Sequence, residues 1–172
     1  MRIRDALADA QALGVARLDV QLLLAHQLGR SRAWLLAHDD EALSNAQDIA
    51  LREGLRRRAA GEPLAYVTGE AEFRGMTLAV SPAVLIPRPE TELLVEWALE
   101  LLAADADAEV VDLGTGSGAV ALALQRERPR WRVTATDASE AALAVAQANA
   151  ARHAPALSFV AGDWWAPLAG RR

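Results

Sequence analysis

The chain has 172 residues, 52% of them hydrophobic, and a formal net charge of −5. That length holds one ordinary domain, or a small domain joined to part of another, and the apolar content supplies a core and argues against disorder. The acidic balance speaks against a dedicated nucleic-acid binder, the absence of cysteine removes disulfides, thiolate metal sites and cysteine nucleophiles, and no apolar run nears the roughly 20 residues that span a bilayer.

The first residues, MRIRDALADAQALG, carry charges throughout and have no apolar h-region, so a signal peptide is not expected and a cytoplasmic protein is. Ile3, Leu7, Ala10 and Leu13 recur at helical spacing up to Gly14. A second run, from Leu18 through Leu22 and Leu23 to Leu28, stops near Gly29. A short third run contains Trp34, Leu35 and Leu36. Ser44 suits the N-cap of a fourth helix reaching about Ala60. Residues 1–62 are therefore expected to form a small helical bundle.

Gly61 and Pro63 end that pattern. The stretch AYVTGEAEFRGMTLAV places β-formers on both sides of Arg74-Gly75, a two-residue turn signal, and predicts a β-hairpin within a linker spanning 63–87. Pro82, Pro87 and Pro89 forbid helix until Pro89, which suits a first helical turn. A helix is expected from about Glu90 to Ala103, with Leu93, Leu94, Trp97 and Leu101 on its apolar face. From Glu109 the pattern alternates: strand to Leu113, helix over Ala119–Glu127, strand over Arg132–Thr136, helix over Glu140–Arg152, strand over Leu157–Val160. Such alternation implies a parallel, doubly wound α/β sheet over 88–172.

The stretch VVDLGTGSGAVALAL, residues 110–124, sets three glycines at every second position where a strand ends and a helix begins. Glycine inside an element costs roughly 0.5–1 kcal/mol relative to alanine. Three together suggest that a ligand meets the backbone at the C-terminal edge of the sheet. Asp137, nineteen positions after Gly118, ends the next strand, where an acid can accept ribose hydroxyls; the alternative is that it caps the following helix, a task open to Ser139. The spacing is G-x-G-x-G rather than the dinucleotide G-x-G-x-x-G, and Asp112 precedes it. That acid suits a cationic ligand such as S-adenosylmethionine better than a diphosphate.

DLGTGSGAVALAL at 112–124 resembles the cofactor loop of class I methyltransferases. With GEPLAYVTGEAEF, IPRPETELLVE at 86–96 and GDWW at 162–165, the chain resembles the bacterial peptide-chain release factor glutamine methyltransferases, the HemK-like family, over essentially its whole length. The resemblance implies methyl transfer from S-adenosyl-L-methionine to the glutamine side-chain nitrogen of the Gly-Gly-Gln loop in translation release factors. It implies a Rossmann-like methyltransferase domain behind a helical substrate-recognition bundle. Asp112 and the loop Gly114, Thr115, Gly116, Ser117 and Gly118 would line the methionine and ribose, Asp137 would hold the ribose hydroxyls, and Asp163 and Trp164 would border the adenine. Arg88, Glu90 and Thr91 would border the active-site mouth and meet the substrate. Release factors would be the protein partner, with no direct nucleic acid, no membrane and no metal.

One element of the family pattern is missing. The Asn-Pro-Pro-Tyr motif, whose asparagine grips the acceptor amide, does not occur in these 172 residues. An amide nitrogen is a poor nucleophile, and acceptors on its N–H groups orient it and ease charge development. The expectation is thus an incomplete methyltransferase domain, with no catalytic residue to assign, inactive alone. Its first strand would become an exposed edge, leaving the chain marginally stable or prone to associate.

Other readings accompany this one. The acceptor could be a ribosomal-protein glutamine, or the chain could be a non-catalytic cofactor-binding module. A nicotinamide-dependent oxidoreductase is disfavoured by the loop spacing. His26, His38 and His153 are scattered and point to packing or surface roles. Arg56-Arg57-Arg58 reads as a solvated helix face more readily than as a docking patch. Glu90 and Glu92 suit a helix N-terminus better than acid–base work. Trp34 and Trp97 read as packing residues, and one of Trp164 and Trp165 is a candidate neighbour of the ligand.

Overall fold

A computed structural model describes residues 1–103 and 106–169. The chain divides into two compact units, Met1–Thr68 and Gly69–Arg172.

The first unit contains α1 (Ile3–Ala12), α2 (Arg17–Leu28), α3 (Arg32–Ala37), α4 (Asn45–Ala59) and α5 (Leu64–Thr68). Each boundary has a local cause. Gly29 closes α2 in the left-handed conformation at φ 60°, its N–H turned to the carbonyls of Ala25 and His26. Ser31 caps α3 by accepting the Trp34 N–H at 3.1 Å. Ser44 and Gln47 form a reciprocal capping box at the start of α4, with bonds of 3.2 and 2.8 Å. Ile3, Val20, Leu24, Leu35 and Leu51 are buried in the core between the helices. The run Arg56–Arg58 is internally paired: Arg56 with Glu53, Arg57 with Glu62, Arg58 with Asp19. Hydrogen bonds from Arg56 and Arg57 hold the Glu53 and Glu62 carboxyls below the ordinary carboxylate range.

The β-formers Tyr66, Val67 and Thr68 lie in α5 and not in the hairpin, a correction to the sequence expectation. The Pro63 carbonyl accepts the N–H groups of Tyr66 and Val67, and the Thr68 hydroxyl bonds the Leu64 carbonyl at 3.1 Å. Leu64 and Val67 pack on the unit's core, and that burial outweighs β-propensity.

The second unit begins with a hairpin, β1 (Glu70–Phe73) and β2 (Met76–Ala79), antiparallel and in register Phe73↔Met76. Arg74 and Gly75, at φ 47° and 70°, occupy the two left-handed positions of a tight hairpin turn. A single-turn 3-10 segment, Pro89–Thr91, leads into α6 (Glu92–Leu101). The outward face of α6 differs from expectation. Leu93, Leu94, Trp97 and Leu101 are exposed, while Val95, Ala98 and Leu99 meet the core. Outside the stripe Glu92, Glu96 and Glu100, apolar residues cover the rest of this helix, so periodicity alone does not choose the buried face.

The remaining elements are β3 (Glu109–Leu113), α7 (Ala119–Glu127), β4 (Arg132–Asp137), α8 (Glu140–His153) and β5 (Ser158–Ala161). The strands run parallel in the order β3-β4-β5, a Rossmann-like α/β arrangement. Consecutive strand order with right-handed crossovers sets α7 and α8 on the same face of the sheet. β4 is central, with Val133 to Thr136 buried. β3 pairs with β4 alone among the described strands, and Val110 and Val111 are only half-buried.

Candidate functional site

The glycine loop hangs from the end of β4. The N–H groups of Gly114 and Thr115 both donate to the Thr136 carbonyl at 2.9 Å. The Gly116 N–H donates to Asp137 Oδ2 at 2.9 Å, and the other Asp137 oxygen accepts the Ser139 N–H at 2.9 Å. Ser139, not Asp137, caps α8, its hydroxyl accepting the Ala142 N–H at 3.2 Å. Gly162 donates its N–H to the Asp137 carbonyl at 3.0 Å. The C-terminal ends of all three parallel strands are thereby laced at one place.

The three glycines do different work. Gly114 and Gly116, at φ 75° and 56°, have no atom within 4 Å of where a Cβ would stand. They leave a bare strip of backbone. Gly118 faces inward: a Cβ there would meet Leu122 at 3.1 Å and Ala146 at 3.2 Å, so this glycine allows α7 to close on α8. Thr115 and Ser117 are buried as well. Beside the strip, a cavity of about 200 Å³ is lined by Leu113, Gly114, Ala138, Gly162, Asp163 and Trp164. Trp164 is exposed and sits at φ 44°, unusual for a bulky residue.

Asp112 braces the loop from beneath. Its Oδ2 accepts the Thr115 hydroxyl at 2.7 Å and the Ala121 N–H at 3.3 Å. Burial pushes its carboxyl above the ordinary value; those two hydrogen bonds oppose the shift and the charge of Asp137 adds to it.

The structure therefore gathers Asp112, Gly114, Gly116, Asp137, Asp163 and Trp164 at one sheet edge. Arg88, Glu90 and Thr91 lie at the 3-10 turn before α6 and do not line the cavity. Glu92 accepts the Arg74 backbone N–H at 3.2 Å, a structural task. Trp165 lines a different and larger cavity, about 840 Å³, along Glu109–Val111 and Trp131–Thr134. Among the described residues no group of three or more histidines and carboxylates is placed to hold a metal ion, and no helix is long and apolar enough to cross a membrane.

Asn149 escapes sequence reasoning. Fully buried on α8, it bonds Ala79 of the hairpin and Ser117 of the glycine loop. The signal available was an asparagine in the interior of an alanine-rich helix, a poor choice there on propensity alone.

Residues 1–69 match the PrmC N-terminal domain, and residues 90–171 match the methyltransferase small domain. The release factor glutamine methyltransferase of Bordetella pertussis is 51% identical over 166 residues, 96% of this chain and 60% of that protein. Its counterpart in Escherichia coli K12 is 46% identical over 100 residues, 58% of this chain and 36% of that protein. The chain thus spans less than two thirds of the length of either relative. Among solved structures, a METTL16 methyltransferase domain aligns with a TM-score of 0.47 at 15% identity, over 76% of this chain and 51% of that one.

Proposed function

We propose that this chain, which joins a PrmC N-terminal domain to a methyltransferase small domain and is similar to release factor glutamine methyltransferases over 166 residues, serves transfer of a methyl group from S-adenosyl-L-methionine to the side-chain nitrogen of the release factors' Gly-Gly-Gln glutamine. The observation that carries this reading is the bare strip of Gly114 and Gly116 tied to the Asp137 carboxylate at the C-terminal edge of a parallel sheet. Bound there, the cofactor supplies an electrophilic methyl on a sulfonium centre.

The chain's own groups fit such a ligand. Asp137 accepts two N–H groups and its carboxylate retains lone pairs for ribose hydroxyls. The 200 Å³ cavity is smaller than the roughly 300–1,000 Å³ that encloses a drug-sized ligand. It suits a planar base between Leu113 and the Trp164 ring, with the rest of the molecule along the glycine strip. Asp112 and Asp137 give this edge a negative field that favours a cation. Arg88, Glu90 and Thr91 are assigned to the release factor side of the reaction. The acceptor-gripping Asn-Pro-Pro-Tyr motif is not among these 172 residues, so no residue here is assigned to the chemical step.

Paired calorimetric titrations test the reading. Saturable binding of S-adenosylmethionine, with none of a nicotinamide dinucleotide, is the expected result, and Asp137→Ala should weaken it at least about tenfold. Binding of the dinucleotide alone would overturn the assignment.

A further inference from the structure

The side-chain amide of Asn149 joins two segments remote in sequence. Its Oδ1 accepts the Ala79 N–H at 2.7 Å, and its Nδ2 donates to the Ala79 carbonyl at 3.0 Å and to the Ser117 carbonyl at 2.9 Å. Only one orientation of the amide satisfies all three, because the oxygen must face the N–H and the nitrogen the two carbonyls. Toward Ala79, the amide plays the part of a neighbouring strand: it offers one donor and one acceptor to a residue whose other side pairs with Glu70. Its second donor is spent on the glycine loop. The helix face around it has the same two neighbours. Ala146, one turn earlier, packs against Gly118 of the loop, and His153, one turn later, donates Nε2–H to the Thr77 carbonyl of β2 at 2.8 Å.

Ala79 is the last residue of the hairpin. Val80 follows, buried, with its N–H on the Gly69 carbonyl at 2.9 Å. The chain then runs through buried Val84 to Arg88 and the turn Pro89–Thr91. We propose that Asn149 is a positioning residue that couples the cofactor loop to the acceptor-side segment. One rigid amide sets Ser117 and Ala79 in a single frame, so that a donor seated on the glycine strip and the segment leading to Arg88 keep a fixed register. The inference rests on the cofactor reading above and adds to it a residue and a pathway.

A two-dimensional ¹⁵N NMR titration of the 172-residue chain with S-adenosylhomocysteine tests it. In the unsubstituted chain, the amides of Gly116, Ala79 and Val80 and the side-chain amide of Asn149 should shift together, with one dissociation constant. In Asn149→Leu, Gly116 should still respond, the Ala79 and Val80 shifts should vanish, and affinity should fall about tenfold. His153→Ala removes an α8–β2 bond without touching the loop and should retain the coupled shifts and the affinity. A merely structural Asn149 would lower the melting temperature while leaving the affinity of the folded protein unchanged, and that result overturns the proposal. Should Asn149→Leu fail to fold, the unsubstituted chain still decides: a Gly116 response without any at Ala79 or Asn149 refutes the coupling. Failure of the unsubstituted chain to bind the ligand refutes the cofactor reading and the coupling together, whereas binding without coupling refutes only the second.

Discussion

At Asp112, burial and hydrogen bonding pull in opposite directions, and burial wins. A carboxyl whose folded pKa exceeds its unfolded value, about 3.9, makes the folded chain bind more protons between the two. Its contribution to stability is complete below the unfolded value and is lost as pH rises through the folded one. Asp112→Asn keeps an oxygen for the Thr115 hydroxyl and the Ala121 N–H but does not titrate. Its melting temperature relative to the unsubstituted chain should therefore climb as pH rises through that window, a trend read from melts at about pH 3 to 7. The glycines give a second contrast. Gly118→Ala sets a methyl against Leu122 and Ala146 at a left-handed φ of 84° and should cost about 1–3 kcal/mol, seen as a lower melting temperature. Gly114→Ala has open space around it, so its stability loss should be limited to backbone strain of about 1 kcal/mol, with the larger effect on titrated cofactor affinity. Sequence spacing picked out all three glycines and Asp137 because strand end, loop and acid lie within one βαβ unit. It did not separate Gly118 from the others, since what distinguishes it is Ala146, on another helix.

Among the elements, the hairpin turn is tied to two helices through one side chain. The Arg74 guanidinium bonds Glu127 of α7 at 2.8 Å and Glu96 of α6 at 3.4 Å, while its N–H bonds Glu92. Asparagine is the better residue for a left-handed turn position, so Arg74→Asn separates turn from clamp. The turn should survive, as judged by NMR of the hairpin amides. Loss of the partly exposed pairs should cost about 1 kcal/mol, or roughly 2–4 °C in melting temperature for a chain of this size. A higher melting temperature would show that turn preference outweighs the clamp. Elements with clean local signals were legible: Ser44 marks the start of α4, and Gly29 marks the end of α2. Two features were not. The α5 turn looks β-like until Leu64 and Val67 find the core, and α6 is apolar on both faces, so only Val95 against its neighbours shows which way it turns.

Over the whole molecule, the alternation of strands and helices made the parallel sheet legible, because that order admits few topologies. The chain also carries unpaired apolar surface. β3 presents one edge without a partner among the described strands, and Leu93, Leu94, Trp97 and Leu101 stand outward on α6. An open strand edge together with an apolar helix face favours association. Sedimentation velocity over about a tenfold concentration range should show the average mass rising above that of one chain, and placing two charges on the apolar face, Leu94→Glu with Leu101→Glu, should reduce the rise. A constant single-chain mass would show that the open edge of β3 and the apolar face of α6 do not drive association.

The wall formed by Trp164 has an optical consequence. Trp131 is 2% exposed and Trp164 is 70% exposed, so the two indoles emit at different wavelengths, the buried one to the blue and the wet one to the red. A purine stacked on the Trp164 ring would quench its share of the red emission, to which exposed Trp97 and Trp165 also contribute, and would leave the blue component alone. With Trp34, Trp97 and Trp165 replaced by phenylalanine, the two remaining indoles would give a reporter of occupancy beside an internal standard for folding, and the ratio of their bands would distinguish a filled site from an unfolded protein without any added label.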